Sequence, residues 1–500
     1  MGFRWLGSVL LVLAAAAHAQ PPKERDWGKA LAEDARALHD DIAANHPGPV
    51  NTLDPGFAAN NERQRAIALE RAKSAKTYAD YFFPLRQYVA SFNDGHMGFG
   101  AFGDTPNDLR WPGFATHYDG RGRIVVGTDE AGSPVPKGAE LVGCDGMGAA
   151  QYAEATLGKM WGRWTLESQQ QSLGALLFVD EGSNIIPLAK TCTFRIGKAT
   201  KVVPLHWRPL AVSRMSGIMN LRGGARPSEF AARTLGNGTR WISMASFDGA
   251  PGSTAATKLP AIIKALGDDR AAIASAPAIV LDVRGNGGGT SDWSVQIARA
   301  LWGEAALKSI PPGPNVEVDW RASPANLVDI AQGYAERRGT EGFSREADGW
   351  FRSVIAGLGV AIARKQDLWR HVAFDAADPA APAADVPKPR PALLPKLAGP
   401  VYVLTDSTCM SACLDAVDLW TALGAIQVGR ATGADTLYME VRQVKLPSGL
   451  TQVSMPMKVY RGRARGSNEP ALPKYRFDGD IGDTAALERW IAGLPDGRRR

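Results

Sequence analysis

The chain has 500 residues, of which 45% are hydrophobic and 22% are charged, and its formal net charge is +6. This is the composition of a folded globular protein, and the length predicts two to four structural units rather than a single core. The charge is modest, part of it lies in the C-terminal GRRR, and no basic stripe is visible, which argues against nucleic-acid binding.

The N-terminus has the pattern of an export signal. Arg4 supplies an early cation, an apolar run extends from Val9 to Ala17, and Ala17 and Ala19 are small. This pattern predicts a secretory signal peptide over residues 1–19. The run is too short for a membrane anchor, and no later segment offers about 20 uninterrupted apolar residues. We therefore expect an exported protein, periplasmic or secreted, without a stable membrane span.

Two segments with different patterns follow the signal. Residues 20–99 are predicted to form a helical unit, from DWGKALAEDARALHDDIAANHPG and a long amphipathic stretch at 63–92. Residues 100–210 contain short apolar runs separated by turns, which predicts a small β-rich module. Within it, PKGAELVGCDGMGAAQYAEATLG predicts a strand, a tight turn at Asp145 and Gly146, and a helix, in an order similar to that of PDZ domains.

From residue 211 to residue 500, predicted strands and helices alternate. The continuous apolar runs are typical of buried strands: RWISMASF, APAIVLDVRGN, PVYVLTDS and AIQVGRAT. The segments TAATKLPAIIKALGD, SDWSVQIARALWG and SACLDAVDLWTAL between them predict helices. This order predicts a mostly parallel α/β core. A helical insertion at about 303–398, which ends in the Pro/Ala-rich segment 375–397, interrupts it.

The chain contains four cysteines, which an exported protein can pair in three ways. Local spacing favours the pairs Cys409–Cys413 and Cys144–Cys192, and buried free thiols are the alternative. The seven histidines are scattered and form no HExxH motif, so neither a zinc site nor any other metal site is expected.

The segment LDVRGNGGGT lies where a predicted buried strand meets a helix. Ligand and catalytic sites of α/β sheets lie at that end of a strand, and glycines let backbone N–H groups approach an anion. The spacing of Gly285, Gly287, Gly288 and Gly289 is not that of a dinucleotide site, and no GK[ST] follows. The segment is therefore either a tight turn or a site for a transition-state oxyanion.

The segment VYVLTDSTCMSACLDAVDLW places Ser411 at a strand-to-helix turn. If Ser411 is a nucleophile, the N–H of Ala412 is expected to point toward the group that Ser411 attacks. The alternative is that Ser411 caps the helix. His96, in SFNDGHMGFG, is either a structural histidine or a base.

The DGH element, DVRGNGGG and STCMSAC occur in this order after an HPG segment. Together they resemble peptidase family S41, which comprises the C-terminal processing peptidases and their tricorn-like relatives. The resemblance covers most of the chain after the signal. It implies a ClpP/crotonase-type α/β catalytic core, often accompanied by a PDZ-like module, and hydrolysis of peptide or protein substrates without a cofactor.

Processing peptidases of this family activate the serine with a lysine after a VGxxTxGK-like turn. The corresponding turn here is VGRATGADT, with Ala434 or Asp435 in the place of the lysine, and residues 414–444 contain no lysine. A serine–lysine pair is therefore disfavoured.

The tricorn-like branch uses a histidine of the DGH region and a later glutamate. His96 matches the first, and Glu469, 58 positions after Ser411, matches the second. A neutral histidine is suited to take the proton of a serine near neutral pH, and a carboxylate orients the base or the substrate. Tricorn-like enzymes have a serine just before the histidine, whereas this chain has Gly95, which leaves Asp94 or Asn93 to assist His96.

The resemblance also implies an oxyanion hole formed by the N–H of Ala412 and a glycine N–H, for which we favour Gly288 over Gly287. Residues four apart in a helical turn have α-carbons about 6 Å apart, so a Cys409–Cys413 disulfide is expected to clamp the turn of Ser411.

The interpretation that follows is an exported serine endopeptidase that forms an acyl-enzyme on Ser411. Two alternatives stay open, namely a catalytically inactive peptide- or lipid-binding protein on the same fold, and an acyl hydrolase acting on a non-peptide ester. The sequence indicates neither the substrate preference nor the oligomeric state.

Overall fold

The computed structural model describes residues 25–102, 109–221, 229–310, 317–340, 343–372, 394 and 396–495. The predicted signal peptide at 1–19 and most of the Pro/Ala-rich segment lie outside these residues. The described residues form two compact units. The N-terminal unit takes its residues from Leu11–Gly223 and Tyr438–Lys458, and the α/β unit takes its residues from Gly224–Leu437 and Val459–Arg500.

The helices of the described residues are α1 (Trp27–Asn45), α2 (Gly56–Ala72), α3 (Tyr78–Ala90), α4 (Ala149–Ala153), α5 (Lys159–Trp161), α6 (Glu167–Leu173), α7 (Met215–Met219), α8 (Thr254–Asp268), α9 (Arg270–Ala274), α10 (Asp292–Trp302), α11 (Glu304–Ser309), α12 (Pro324–Arg337), α13 (Arg345–Ala363), α14 (Ala412–Ala422) and α15 (Thr484–Ala492). Within that part of the chain, no helix is both long enough and apolar enough to cross a bilayer.

The strands are β1 (Phe99–Ala101), β2 (Arg110–Trp111), β3 (Phe114–Tyr118), β4 (Ile124–Asp129), β5 (Glu140–Cys144), β6 (Met147–Gly148), β7 (Thr191–Ile196), β8 (Ala199–Pro204), β9 (Arg208–Pro209), β10 (Ala231–Thr234), β11 (Arg240–Ser243), β12 (Ile279–Asp282), β13 (Glu317–Arg321), β14 (Leu368–Val372), β15 (Val401–Thr405), β16 (Ile426–Gly429), β17 (Tyr438–Lys445), β18 (Thr451–Arg461) and β19 (Tyr475–Arg476).

The N-terminal unit begins with three helices. Helix α1 buries an apolar stripe that includes Leu31, Leu38 and Ile42, as its helical spacing predicts. The long stretch at 63–92 is not one helix, because the chain leaves α2 and starts again at α3. Thr77 and Asp80 form a reciprocal capping box that satisfies the first N–H groups of α3 and so fixes the new start.

The β-rich part of this unit is an antiparallel sheet in the order β3-β4-β5-β7-β8, with β6 paired to β5. Cys144 and Cys192 lie opposite each other on β5 and β7 and form a disulfide, as predicted. The turn after β5 also follows the prediction, since Asp145 and Gly146 both have positive φ. The carboxylate of Asp145 accepts hydrogen bonds from the backbone N–H groups of Lys190 and Thr191, which anchors this turn.

The α/β unit is built on a six-stranded sheet in the order β10-β11-β12-β15-β16-β19. All neighbours from β11 to β19 are parallel, and only β10 runs antiparallel. Every residue of β12 and β15 is buried, which explains the unbroken apolar runs in the sequence. Helices α8, α10 and α14 pack on this sheet, and their buried side chains share one core with those of β12 and β15. The mixed α/β fold is thereby confirmed.

The insertion between α10 and β15 contains strands as well as the predicted helices. Strands β13 and β14 pair antiparallel within it, with Trp320 opposite Trp369, and helices α12 and α13 lie between them in the chain. The buried carboxylate of Asp319 accepts hydrogen bonds from Arg370 and Arg461, which ties this strand pair to the α/β unit.

The HPG segment after α1 has a packing role in the N-terminal unit. The His46 ring is fully buried and stacks on Phe57, with 4.4 Å between ring centroids. Its Nδ1 accepts a hydrogen bond from the N–H of Gly48 at 2.9 Å. Burial lowers the pKa of His46 to about 3, because a charged imidazole loses its hydration there. The ring is therefore neutral in the folded protein at neutral pH.

This burial predicts a pH-dependent stability. Below about pH 6.5 the unfolded chain protonates His46, whereas the folded chain does so only near a pKa of about 3. The unfolded state binds more protons in this window, so the free energy of unfolding falls as the pH drops, with His46 contributing up to about 1.4 kcal/mol per pH unit. We expect His46→Asn, which keeps an acceptor for the Gly48 N–H but cannot titrate, to be less stable at pH 7 yet to have a shallower slope in urea denaturation between pH 7 and 4. Equal slopes for both proteins would refute this role.

Candidate functional site

Ser411 lies between the buried strand β15 and helix α14, at the N-cap position of that helix. Its backbone is in an unusual conformation, with φ 55° and ψ −126°. Within the described chain its side chain makes no capping hydrogen bond, so the interpretation of Ser411 as a mere helix cap loses its support. A positive φ in a non-glycine residue costs on the order of 1–3 kcal/mol and persists only where the surroundings enforce it, which is common at functional sites.

The residues around Ser411 are held by a disulfide and by backbone hydrogen bonds. Cys409 and Cys413 are bonded, as predicted, and both are fully buried. The N–H of Cys413 donates to the carbonyl of Met410, and the N–H of Cys409 donates to the carbonyl of Asp406. The cysteines therefore brace the turn on both sides of Ser411 and are not free to act as nucleophiles.

The glycine-rich loop after β12 meets this turn at Gly288. A β-carbon built on Gly288 would lie 2.6 Å from the carbonyl oxygen of Met410, 2.9 Å from Cβ of Ser411 and 3.0 Å from the backbone nitrogen of Ala412. Gly288 also has φ 98°, which disfavours any other residue. Only glycine allows the two backbones to approach this closely, and the approach brings Gly288, Ser411 and Ala412 together.

Asn286 sets the conformation of the glycine loop. Its side-chain oxygen accepts the N–H of Gly288 at 2.9 Å, and its side-chain nitrogen donates to the carbonyl of Met244 at 3.0 Å. The Gly288 N–H is thus engaged in this structure, whereas no acceptor is found within the described residues for the N–H groups of Ala412 and Gly287. The pattern of the sequence did not single out Asn286, although it is the buried polar residue of the GNGGG turn.

Asp406 connects the glycine loop and the turn of Ser411 through hydrogen bonds. Its carboxylate accepts a hydrogen bond from the N–H of Gly285 at 3.2 Å and from the N–H of Thr408 at 3.0 Å. Asp282, at the end of the neighbouring strand, pairs instead with Arg284. Both aspartates are buried at the carboxyl ends of apolar strands, a position that sequence reasoning can use as a signal but that the prediction overlooked.

A second polar contact ties α10, which follows the glycine loop, to α14, which follows Ser411. The hydroxyl of Ser291 donates to Asp415 at 2.7 Å. Burial raises the pKa of the Asp415 carboxyl, and the hydrogen bond from Ser291 opposes that shift. The Nε1 of Trp420 adds a bond to the carbonyl of Ser294 at 3.0 Å. These contacts fix the two helices that carry the two loops.

Asp435, which the sequence pattern puts in the place of the processing peptidases' lysine, belongs to a buried ion-pair cluster. The Asp435 carboxylate lies 3.0 Å from Nη1 of Arg463 and 2.5 Å from Nη1 of Arg465, and all three side chains are at most 7% exposed. Ala434 beside it is also buried. The carboxylate is therefore committed to the arginines, and this position supplies no base comparable to a lysine.

Glu469 lies at the surface of the α/β unit, in the loop after this cluster. Its carboxylate accepts the N–H of Gly466 at 2.7 Å, and the N–H of the adjacent Asn468 donates to the carbonyl of Asp435 at 2.7 Å. The loop that carries Glu469 is thus attached to the buried cluster.

His96 belongs to the N-terminal unit, whereas Ser411 and Glu469 belong to the α/β unit. Its backbone N–H donates to Oδ1 of Asp94 at 2.8 Å, and its Nδ1 lies 3.9 Å from the same oxygen. The side chain of Asp94 is 1% exposed and that of His96 is 12% exposed. His96 is therefore held beside a buried carboxylate. Among the described residues, no group of three or more potential ligands could hold a metal ion.

The close approach at Gly288 predicts opposite effects of two glycine substitutions in the α/β unit. Gly288→Ala forces a β-carbon against a backbone carbonyl at positive φ, and we expect it to lower the free energy of unfolding by about 2 kcal/mol or more. Gly267→Ala, at an unobstructed position in α8, is the matched control and is expected to raise it by about 0.5 kcal/mol. Chemical denaturation of both variants checks this, and equal effects would contradict the packing described for Gly288.

Most of the residues described above lie in a segment that is similar to a known protein family. Residues 241–469 match the family model "Peptidase family S41", and this segment contains the glycine loop, the serine turn and Glu469. A search of curated proteins gave no match.

Among solved structures, mature CPAF matches with a TM-score of 0.58 and 14% identity, over 93% of this chain and 96% of that chain. Mature CPAF complexed with lactacystin matches with a TM-score of 0.57 and 14% identity, over 93% and 98%. The photosystem II D1 C-terminal processing protease matches at 0.33 with 14% identity, over 90% and 93%, which is too low a score to support an argument. At these identities the structures support the fold alone. The match over residues 241–469 covers just under half of the chain and supports a serine-type peptidase related to peptidase family S41.

Proposed function

We propose that the protein is an exported endopeptidase in which Ser411 is the nucleophile and His96 the general base. The observation that carries the proposal is the packing of Gly288 against Ser411 and Ala412, with Ser411 held at positive φ and its hydroxyl uncommitted to the helix. Such a turn presents a hydroxyl beside backbone N–H groups, which is the arrangement that acyl transfer needs.

In the proposed reaction, neutral His96 takes the proton of the Ser411 hydroxyl while Oγ attacks the carbonyl carbon of the scissile peptide bond. The negative charge that develops on the carbonyl oxygen is stabilised by the N–H of Ala412 and a glycine N–H. Protonated His96 then gives its proton to the leaving amine, and the acyl-enzyme forms. Water, deprotonated by His96, attacks the acyl carbonyl carbon; the bond to Ser411 Oγ then breaks, protonated His96 returns the proton to Oγ, and the acid is released.

The second oxyanion donor is either Gly288 or Gly287. Gly288 lies against Ser411, but its N–H already donates to Asn286, so its use as a donor requires that this bond be shared or broken. Gly287 is partly exposed. The engaged state of Gly288 therefore favours Gly287 in the resting enzyme, with Gly288 as its competitor.

Glu469 is assigned the role of orienting the base or the substrate. Its exposed carboxylate is anchored through Gly466, and its loop is attached to Asp435, which gives it a defined place on the surface. Asp94 or Asn93, the neighbours of His96 in the chain, is proposed to assist it in place of the serine of tricorn-like enzymes, and Asp94 is the one beside the ring.

The organisation proposed for the whole chain follows from the same reasoning. We assign residues 20–99 to a helical unit, 100–210 to a PDZ-like module and 211–500 to a ClpP/crotonase-type catalytic domain. The parallel sheet β11-β12-β15-β16 supports the last assignment, and the order of strand, glycine turn and helix at β5 and α4 supports the PDZ-like one. Two disulfides and the signal pattern at residues 1–19 support export to the periplasm or beyond.

The test is steady-state hydrolysis of an unfolded, fluorophore-labelled protein by purified variants. Ser411→Ala and His96→Ala are each expected to lower kcat by roughly 10³-fold or more, because each removes a group that acts in the transition state. Glu469→Gln is expected to cause a smaller loss, since the carboxylate orients and does not transfer the proton. Ser275→Ala and His206→Ala, at exposed positions, serve as matched controls and should retain wild-type kcat.

A wild-type rate in Ser411→Ala would overturn the assignment of the nucleophile, and a wild-type rate in His96→Ala would overturn the assignment of the base. A wild-type protein that binds peptides with no turnover would instead support the inactive binding protein. Mass spectrometry of the products separates cleavage of internal peptide bonds, expected for an endopeptidase, from hydrolysis confined to non-peptide esters.

A further inference from the structure

We propose that Arg163 is a positioning residue for His96, and that its guanidinium group holds the turn at residues 93–96 in the shape that aims the imidazole. This inference rests on the proposed function, because it concerns the base of that reaction. It explains how a chain with glycine at position 95 can still keep its histidine in place.

The guanidinium of Arg163 covers Gly95. A β-carbon built on Gly95 would lie 2.5 Å from Nη1, 2.9 Å from Cζ and 3.0 Å from Nη2 of Arg163. These distances are shorter than van der Waals contact, so no side chain fits at position 95 while Arg163 keeps its place. The space that a side chain at position 95 would fill is occupied by the end of Arg163 instead.

The segments around Asn93 and Arg163 are also held together through contacts of their backbones. Asn93 and Arg163 are both non-glycine residues with positive φ, at 51° and 53°. The N–H of Arg163 donates to the side-chain oxygen of Asn93 at 3.1 Å. A β-carbon on Gly162 would lie 2.8 Å from the carbonyl oxygen of Ala90, so the backbone approaches α3 closely here as well. Two such conformations cost on the order of 1–3 kcal/mol each, and they persist because the surroundings hold them.

The turn at residues 93–96 carries His96. The carboxylate of Asp94, in the same turn, accepts the backbone N–H of His96 at 2.8 Å and lies 3.9 Å from Nδ1 of the ring. The next residue, Met97, donates its N–H to the carbonyl of Asp94 at 3.2 Å. A shift of the turn therefore moves the imidazole and the carboxylate beside it together, and Arg163 is the side chain that covers this turn at Gly95.

A positioning role has a kinetic signature. Misplacing a general base by about 1 Å can lower the rate of the chemical step by as much as 10²-fold, while substrate binding by other parts of the protein is untouched. We therefore expect Arg163→Ala to lower kcat by about 10- to 100-fold with KM changed by less than about 3-fold. Arg195→Ala, which removes an exposed arginine paired with Glu140 in the same unit, is the matched control and should leave kcat unchanged.

The decisive experiment is a double-substitution cycle with Gly95→Ser and Arg163→Ala, assayed for kcat and KM and for the melting temperature. A serine at position 95 must displace the guanidinium, so Gly95→Ser is expected to lower kcat as Arg163→Ala does. Because both changes break the same contact, the double variant should be no slower than the slower single variant.

Wild-type kcat in Arg163→Ala, or a double variant whose loss equals the product of the two single losses, would overturn the inference. If Gly95→Ser fails to fold, Arg163→Ala and Arg163→Lys still decide the question, since the shorter, non-planar ammonium should recover only part of the loss. Failure of the proposed function is recognised separately, by wild-type activity in His96→Ala. Loss of activity in His96→Ala together with full activity in Arg163→Ala would reject this inference alone.

Discussion

The contact between the backbone of Gly288 and the turn of Ser411 is the constraint on which the rest of the site depends. The two segments follow β12 and β15, which are parallel neighbours with Leu281 opposite Val403. Parallel pairing places both carboxyl ends at one edge of the sheet, so loops far apart in sequence meet there. Asp406 then links them through Gly285, and the absence of a side chain at Gly288 allows the final approach.

Buried charge explains why an aspartate, and not a lysine, suits position 435. A charge removed from water is costly unless it is paired, and Asp435 is paired with both Arg463 and Arg465. A lysine here would place a third cation in the cluster, so the local electrostatics favour the aspartate that the chain has. If Ser411 is the nucleophile, as we propose, this position does not supply its base, which is why His96 is proposed for that role.

Local sequence patterns were sufficient to predict the helices and strands that are defined by residues close to one another in the sequence. Helix α8 spans Thr254–Asp268, the same fifteen residues as the predicted segment TAATKLPAIIKALGD, because an amphipathic stripe and the cap at Ser253 define it. The strand-to-helix position of Ser411 followed in the same way. The break between α2 and α3 was missed although its signal is local, since the capping box of Thr77 and Asp80 lies within a continuous amphipathic pattern.

The remaining features depend on contacts between distant segments, which a single sequence does not display. The positive φ of Ser411, the engagement of the Gly288 N–H by Asn286 and the cover of Gly95 by Arg163 are set by tertiary packing. The strand pair β13 and β14 within the insertion was also hidden, because its residues are more than 45 positions apart and read as parts of a helical segment. The local positions of these residues in the fold were therefore predictable, whereas the partners that hold them were not.

The central claim is that Ser411 is the nucleophile, and covalent labelling tests it most directly. The purified protein is treated with a serine-reactive phosphonate, digested, and its adduct located by tandem mass spectrometry. We expect one stoichiometric adduct, on Ser411, because only a serine beside a base and backbone N–H donors reacts at a useful rate. An adduct on another serine, or continued peptide hydrolysis with Ser411 unlabelled, would contradict the account.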